Sequence, residues 1–314
     1  MCKVIKAGVI GLGHIAHIAE LPALSEMEHV EIAAVYSRSD SSVEVAMCKY
    51  KIGKGCRSFE EFMNTEMDCA FVLTPKTAHY EYVISLLDKG IDVFCEKPLA
   101  LTLRESREMA EAAKRNNRIL MVGFNRRYAP VYAKVKELYM DKAPDVVIAQ
   151  KNRNGTEYRA TLENAIHMVD LMRYLCGEAL LVEAHSMFTD PEYEDLVTAQ
   201  IKFDSGSTGI LVASRKAGQW VEKIDCYGGY HSAFVNAPDS VTLADEKTET
   251  KTVMTPLALG WARVEDKMGF TQEVRHFIDC VITRKQPVTN AEDAYKTHEL
   301  MHEILIKAGL PGLE

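Results

Sequence analysis

Val4-Ile5-Lys6-Ala7-Gly8-Val9-Ile10-Gly11-Leu12-Gly13-His14-Ile15-Ala16 is the stretch that decides how this chain folds. A short apolar run ends in G-x-G-x-x-A, and an amphipathic stretch follows. That order is strand, tight loop, helix. Gly11 permits the turn, Gly13 lets the backbone approach a pyrophosphate, and Ala16 keeps the helix close to the sheet. The first N–H groups of the helix and its dipole favour an anion. Gly11, Gly13, His14 and Ile15 are therefore candidate dinucleotide contacts, with solvent exposure as the alternative for His14. A methyltransferase can carry a similar loop, so the surrounding pattern has to decide.

From residue 4 to about 124, short apolar runs alternate with longer amphipathic ones. Candidate strands cover 4–10, 30–36, 69–73, 92–95 and 119–122. Thr77 is placed to cap a helix running through Leu87, with Gly90 as its stop. Thr102 and Glu105 have capping-box spacing. Strict alternation of strand and helix implies a parallel sheet covered on both faces. After Gly123 the pattern changes. A strand-like run (146–151) and a helix (162–175, stopped by Gly177) lead into successive β segments from 181 to 253. Asp204-Ser205-Gly206 and Gly228-Gly229 read as hairpin turns. Helices over 271–283 and 290–307 complete the chain. The expected fold is an α/β Rossmann domain with a doubly wound parallel sheet over 1–123. A second, α+β domain with a largely antiparallel open sheet is expected over 124–314.

The chain has 314 residues and a formal net charge of −8, which disfavours nucleic acid and anionic membranes as partners. Its eight cysteines are scattered without a C-x-x-C pair, the pattern of a reducing, cytoplasmic setting. The N-terminus runs straight into the first strand, so no signal peptide is expected, and no apolar run reaches the ~18–20 residues of a membrane span.

The end of the second strand reads Val35-Tyr36-Ser37-Arg38-Ser39-Asp40. An acidic residue there would bond the ribose hydroxyls of NAD(H). Ser37 and Arg38 instead suit a 2′-phosphate, which favours NADP(H). Asp40 keeps NAD(H) open, as does an Arg38 that points to solvent.

Glu96-Lys97-Pro98 after the strand over 92–95, together with Gly11-Leu12-Gly13-His14-Ile15-Ala16 and His167, closely resembles the Gfo/Idh/MocA family of oxidoreductases. Gly123-Phe124-Asn125-Arg126-Arg127-Tyr128-Ala129-Pro130 and Gly269-Phe270-Thr271-Gln272-Glu273 look most like its MviM-type branch. The resemblance implies a small-molecule substrate, sugar- or polyol-like in many members. It also implies a homo-oligomer, dimer or tetramer, packed through the C-terminal sheet. By position Lys97 corresponds to the family's active-site lysine; its alternative is a surface residue in a turn. Thr74, Pro75, His79, Glu96 and Asn125 fall where the family contacts cofactor, and Arg126 where it contacts nicotinamide or substrate.

In Glu163-Asn164-Ala165-Ile166-His167-Met168-Val169-Asp170, spacings of four and three put Glu163, His167 and Asp170 on one helix face. A polar stripe on an apolar helix either lines a site or meets internal partners. The resemblance assigns proton exchange to His167 and an orienting or tuning role to Glu163; Asp170, with Asn125, Arg126 and Glu163, offers hydrogen-bonding groups suited to a polyhydroxylated substrate. Family members usually carry Asp at 163, Gly at 165 and a glycine run upstream. Those departures sustain a second reading, a nucleotide-binding regulator that has lost turnover. His298-Glu299-Leu300-Met301-His302 spells H-E-x-x-H, but His298 shares the apolar stripe with Met301 and Leu305, so no metal site is expected.

Overall fold

The first sheet is built from β1 (Ile5–Ile10), β2 (Val30–Tyr36), β3 (Gly55–Cys56), β4 (Cys69–Val72), β5 (Asp92–Glu96) and β6 (Leu120–Gly123). The computed structural model describes residues 4–155, 160–189 and 194–314. The strands are parallel, in the order β3-β2-β1-β4-β5-β6. Every residue of β4, β5 and β6 is buried, which is why these strands read as unbroken apolar runs. The order reverses between β1 and β4, so ligands are expected at the carboxyl ends of those two strands. Helices α1 (Leu21–Ser25), α2 (Asp40–Tyr50), α3 (Phe59–Met63), α4 (His79–Asp88) and α5 (Leu103–Arg115) connect them.

Local signals explain several of these bounds. The Thr102 hydroxyl accepts from Glu105 N at 3.1 Å and starts α5. Gly90 follows α4 with φ +82°, a left-handed turn that glycine takes without strain. Thr77 does not cap α4; it lies in a 3-10 turn over Lys76–Ala78, and the helix begins at His79 with no side-chain cap.

The second sheet follows α6 (Pro130–Leu138). It contains β7 (Val146–Asn154) and, after α7 (Ile166–Cys176), β8 (Ala179–Met187), β9 (Leu196–Phe203), β10 (Thr208–Ser214), β11 (Lys216–Gly228), β12 (His231–Asn236), β13 (Ser240–Ala244) and β14 (Glu249–Val253). Its order is β14-β13-β12-β11-β7-β10-β9-β8; only β7 and β10 pair in parallel. Burial alternates along β7 and β9, the mark of a sheet with one covered and one open face. The 162–175 helix differs from expectation: Ala160–Ala165 is a π-helical turn, and α-helix starts only at Ile166.

The chain ends with α8 (Val264–Lys267), α9 (Phe270–Thr283) and α10 (Ala291–Lys307). It divides into two units, Met1–Asn125 with Phe270–Tyr295 and Arg126–Gly269 with Lys296–Glu314. The first break is close to the one read at 123. Placing everything after 123 in the second domain differs from this division, because 270–295 returns to the first unit. The reason is packing. Phe277 of α9 meets Phe71 of β4 and Phe94 of β5 at ring distances of 5.2 and 5.8 Å. Arg284, just beyond α9, pairs with the buried Asp92 at the start of β5.

Candidate functional site

In the first unit the glycine loop closes the carboxyl end of β1. Gly11 has φ +90°, and a Cβ there would lie 2.6 Å from the Leu73 carbonyl group, so only glycine fits. A Cβ on Gly13 would meet nothing within 4 Å, which leaves the backbone open to a ligand. A cleft of about 500 Å³ is lined by Gly11–Gly13, Tyr36, Ser37, Arg38, Thr74, Pro75 and Tyr82. The Thr74 hydroxyl is buried with no hydrogen-bond partner among the described residues. An open glycine backbone and an orphaned hydroxyl in one cleft fit a dinucleotide that supplies acceptors. His14 is exposed and Ile15 half-buried, and neither forms part of the cleft wall. A larger cavity, about 1020 Å³, lies at the amino ends of the strands beside Ile5, Asp68 and Asp92. It is at the wrong end of a parallel sheet for a Rossmann ligand, so chemistry selects the smaller cleft.

Glu96 ends β5 and Lys97 follows, half-buried; Lys97 N donates to Glu96 Oε2 at 3.0 Å. His79 is 1% exposed, and its Nδ1 and Nε2 lie 2.9 Å from the carbonyl oxygens of Pro98 and Thr74. Burial pushes the imidazole pKa down, and it outweighs the backbone groups of Thr74, Pro98 and Leu99 that favour the charged ring. His79 therefore ties the β4 loop to the lysine loop from within, and it does not line the cleft. Asn125, buried at 1% exposure, follows β6.

One cluster had no motif to announce it. Glu20 follows from a π-helical turn (Ala16–Glu20), Glu96 from β5 and Glu273 from α9, and a carboxylate oxygen of each lies within 4.8 Å of the others. Burial, then repulsion from Glu96, lifts the Glu20 carboxyl well above its ordinary range. Carboxylates this close cannot all ionise, and a shared proton resolves the conflict. Gly123 makes room for Glu96: a Cβ there would sit 3.1 Å from Glu96 Oε1.

The second unit holds the other candidates. Glu163 lies half-buried in the π-turn and His167 is 5% exposed in the first turn of α7. Turns of π type are uncommon and concentrate at functional sites. Asn164, between them in sequence, donates Nδ2 to the Lys151 carbonyl at 3.1 Å and pins the turn to β7. Asp170 is fully buried; its carboxylate accepts from Arg127 at 2.8 and 2.6 Å and from Thr297 Oγ1 at 3.1 Å. Arg126 is likewise bound to Glu222, at 2.8 and 3.0 Å, and Glu222 also takes Lys151 and Tyr132. Burial raises the Glu222 carboxyl, but Lys151 and Arg126 outweigh it and hold the group well below its usual range. Asp170 and Arg126 were expected beside substrate; the structure places each in a buried bidentate ion pair. His302 of the H-E-x-x-H run accepts from Leu313 N at 3.0 Å through Nδ1.

Residues 5–124 match the family described as "Oxidoreductase family, NAD-binding Rossmann fold", and 139–229 match the GFO/IDH/MocA C-terminal domain. The chain is 24% identical to the scyllo-inositol 2-dehydrogenase (NAD(+)) of Bacillus subtilis, over 92% of this chain and 90% of that protein. It is 27% identical to the myo-inositol 2-dehydrogenase of Thermotoga maritima, over 92% and 91%. The crystal structure of a dehydrogenase (MviM) from Clostridium difficile superimposes with a TM-score of 0.88, at 26% identity, covering 97% of this chain and 99% of that one. No helix among the described residues is long and apolar enough to cross a membrane.

Proposed function

This chain belongs to the Gfo/Idh/MocA family of oxidoreductases, and on that premise we propose that it moves a hydride between nicotinamide and a hydroxyl or carbonyl carbon of a sugar- or polyol-like molecule. The observation that carries the reading is the cleft at the carboxyl end of β1, with its open Gly13 backbone and unsatisfied Thr74 hydroxyl. When bound, the cofactor supplies a hydride donor or acceptor at C4. His167 exchanges the proton of the reacting hydroxyl, and Glu163 orients or tunes its imidazole. Lys97 hydrogen-bonds the reacting oxygen or shares the proton relay. Lys97, His167 and Glu163 are the residues assigned to substrate. Asp170 and Arg126, committed to Arg127 and Glu222, are assigned to holding the scaffold.

The cofactor favoured is NADP(H). Arg38 lines the cleft and makes no ion pair among the described residues, while Asp40 lies in the first turn of α2, outside the cleft wall. Self-association as a dimer or tetramer is assigned to the open face of the second sheet. Leu181, Met187, Ile210 and Phe234 are exposed on its strands, a surface that favours cover by a second copy. A reducing, cytoplasmic setting completes the reading, supported by the scattered thiols.

The test is a fluorescence titration with NADPH and NADH, followed by turnover of a polyol panel including myo- and scyllo-inositol. Lys97→Ala and His167→Ala are expected to keep cofactor affinity and lose about 10²–10⁴ in kcat. Unchanged turnover in both variants overturns the assignment. Binding of neither nucleotide removes the oxidoreductase reading itself.

A further inference from the structure

Two tyrosines to which no motif gave a role stand in the wall of the cofactor cleft. Tyr36 ends β2, and Tyr82 lies in the first turn of α4. Their rings meet edge to face at 6.4 Å and 77°. Phe59 braces both, at 4.8 Å from Tyr82 and 6.2 Å from Tyr36. Packing thus fixes the rings. Tyr36, Arg38 and Tyr82 line the same cleft. Burial lifts the Tyr82 phenol, Tyr36 and Glu81 lift it further, and Arg38 draws it down. The Ser39 hydroxyl is engaged in capping α2 through Ser42 N, whereas Ser37 and Ser42 line the cleft.

We propose that the Tyr82 hydroxyl is a specificity-determining group for the cofactor, binding the 2′-phosphate of the adenosine ribose together with Arg38 and Tyr36. The inference rests on the NADP(H) reading and deepens it, adding α4 to a subsite that the sequence puts on the end of β2. A phosphate dianion on an exposed loop is screened, and one mobile guanidinium holds it weakly. A phenol braced by aromatic packing donates a short charge-assisted bond with little entropy left to lose. The ribose hydroxyl of NAD(H) carries no charge, so it gains far less from the same donor. Glu81, exposed and adjacent, also lines the cleft and opposes the anion.

Tyr82→Phe keeps the ring on Phe59 and removes only the hydroxyl. Fluorescence titrations of the full chain with NADPH and with NADH, for wild type and variant, read the effect. The NADPH Kd should rise about 10-fold or more, as for loss of a bond to a charged group, while the NADH Kd stays within about 2-fold. Equal loss for both cofactors, or no loss, overturns the inference. A wild type that prefers NADPH beside an unaltered variant leaves the NADP(H) reading standing and sinks only Tyr82. A wild type that prefers NADH sinks both. Arg38→Ala should abolish the preference, which shows that the titration detects the subsite.

Discussion

Replacing Glu20 by Gln asks whether the buried carboxyls of the first unit hold a proton. Glu20 is 0% exposed, and burial and then Glu96 push its carboxyl well above its ordinary range. In the unfolded chain a glutamate titrates near ~4.3. Between that value and the raised one, the folded chain binds one proton more than the unfolded chain. Stability therefore falls as pH rises, the opposite sign to an ion-paired carboxylate, with a slope of about 1.4 kcal/mol per pH unit. Most of the benefit is present below the unfolded pKa and is lost upward through the window. Gln has nearly the same shape and no proton to give up, so Glu20→Gln lacks this slope. Thermal melting of both chains at unit steps upward from about pH 5, within the window below the raised value, gives the comparison. For domains of about 150–250 residues 1 kcal/mol shifts Tm by ~2–4 °C, so the variant's advantage should widen by roughly 3–6 °C per pH unit. Parallel curves would refute the reasoning, because they mean that Glu20 is not the group that keeps the proton.

Phe277→Ala, which opens a cavity against Phe71 and Phe94, should destabilise the first unit by about 3–5 kcal/mol in urea unfolding; a loss under 1 kcal/mol would deny that α9 belongs to its core. Asp170→Ala leaves the buried Arg127 charge uncompensated and should cost about 3–5 kcal/mol of stability. A variant of unchanged melting temperature that loses only substrate affinity would return Asp170 to the substrate contacts. Gly11→Ala meets both a left-handed φ and the Leu73 carbonyl, so dinucleotide affinity measured by fluorescence should drop at least ~10-fold; retained affinity would move the phosphate site elsewhere.

The Rossmann half was legible because parallel strands buried on both faces leave apolar runs, and because Gly11 takes a backbone conformation that other residues avoid. The open sheet was legible for the opposite reason, since alternating burial leaves alternating residues. Partners were not legible. Helical spacing put Asp170 on a face with His167, but a carboxylate on a buried helix reads alike whether it meets substrate or Arg127. The same holds for Arg126, whose counter-ion Glu222 lies on β11. The return of α9 to the first unit depends on Phe277 meeting two phenylalanines far away in sequence, so the helix was visible and its address was not. The π-turn over 160–165 escaped because an i→i+5 ring leaves the same apolar residues in nearly the same pattern. Glu20, Glu96 and Glu273 share no motif; an acid inside the apolar stretch after the glycine loop was the only signal. Tyr36 stood in the quoted strand end, but the serines and arginine after it drew the chemical argument.

The central claim is nicotinamide-dependent hydride transfer, and the absorbance of reduced nicotinamide during turnover tests it most directly. With NADP⁺ or NAD⁺ and a panel of sugars and polyols, wild type should generate reduced cofactor with at least one substrate, while Lys97→Ala and His167→Ala chains that still bind cofactor should fall by about 10²–10⁴. Tight cofactor binding with no reduction of either nucleotide across the panel, or in the reverse direction with the matching carbonyl compounds, would contradict the account and leave the nucleotide-binding regulator in its place.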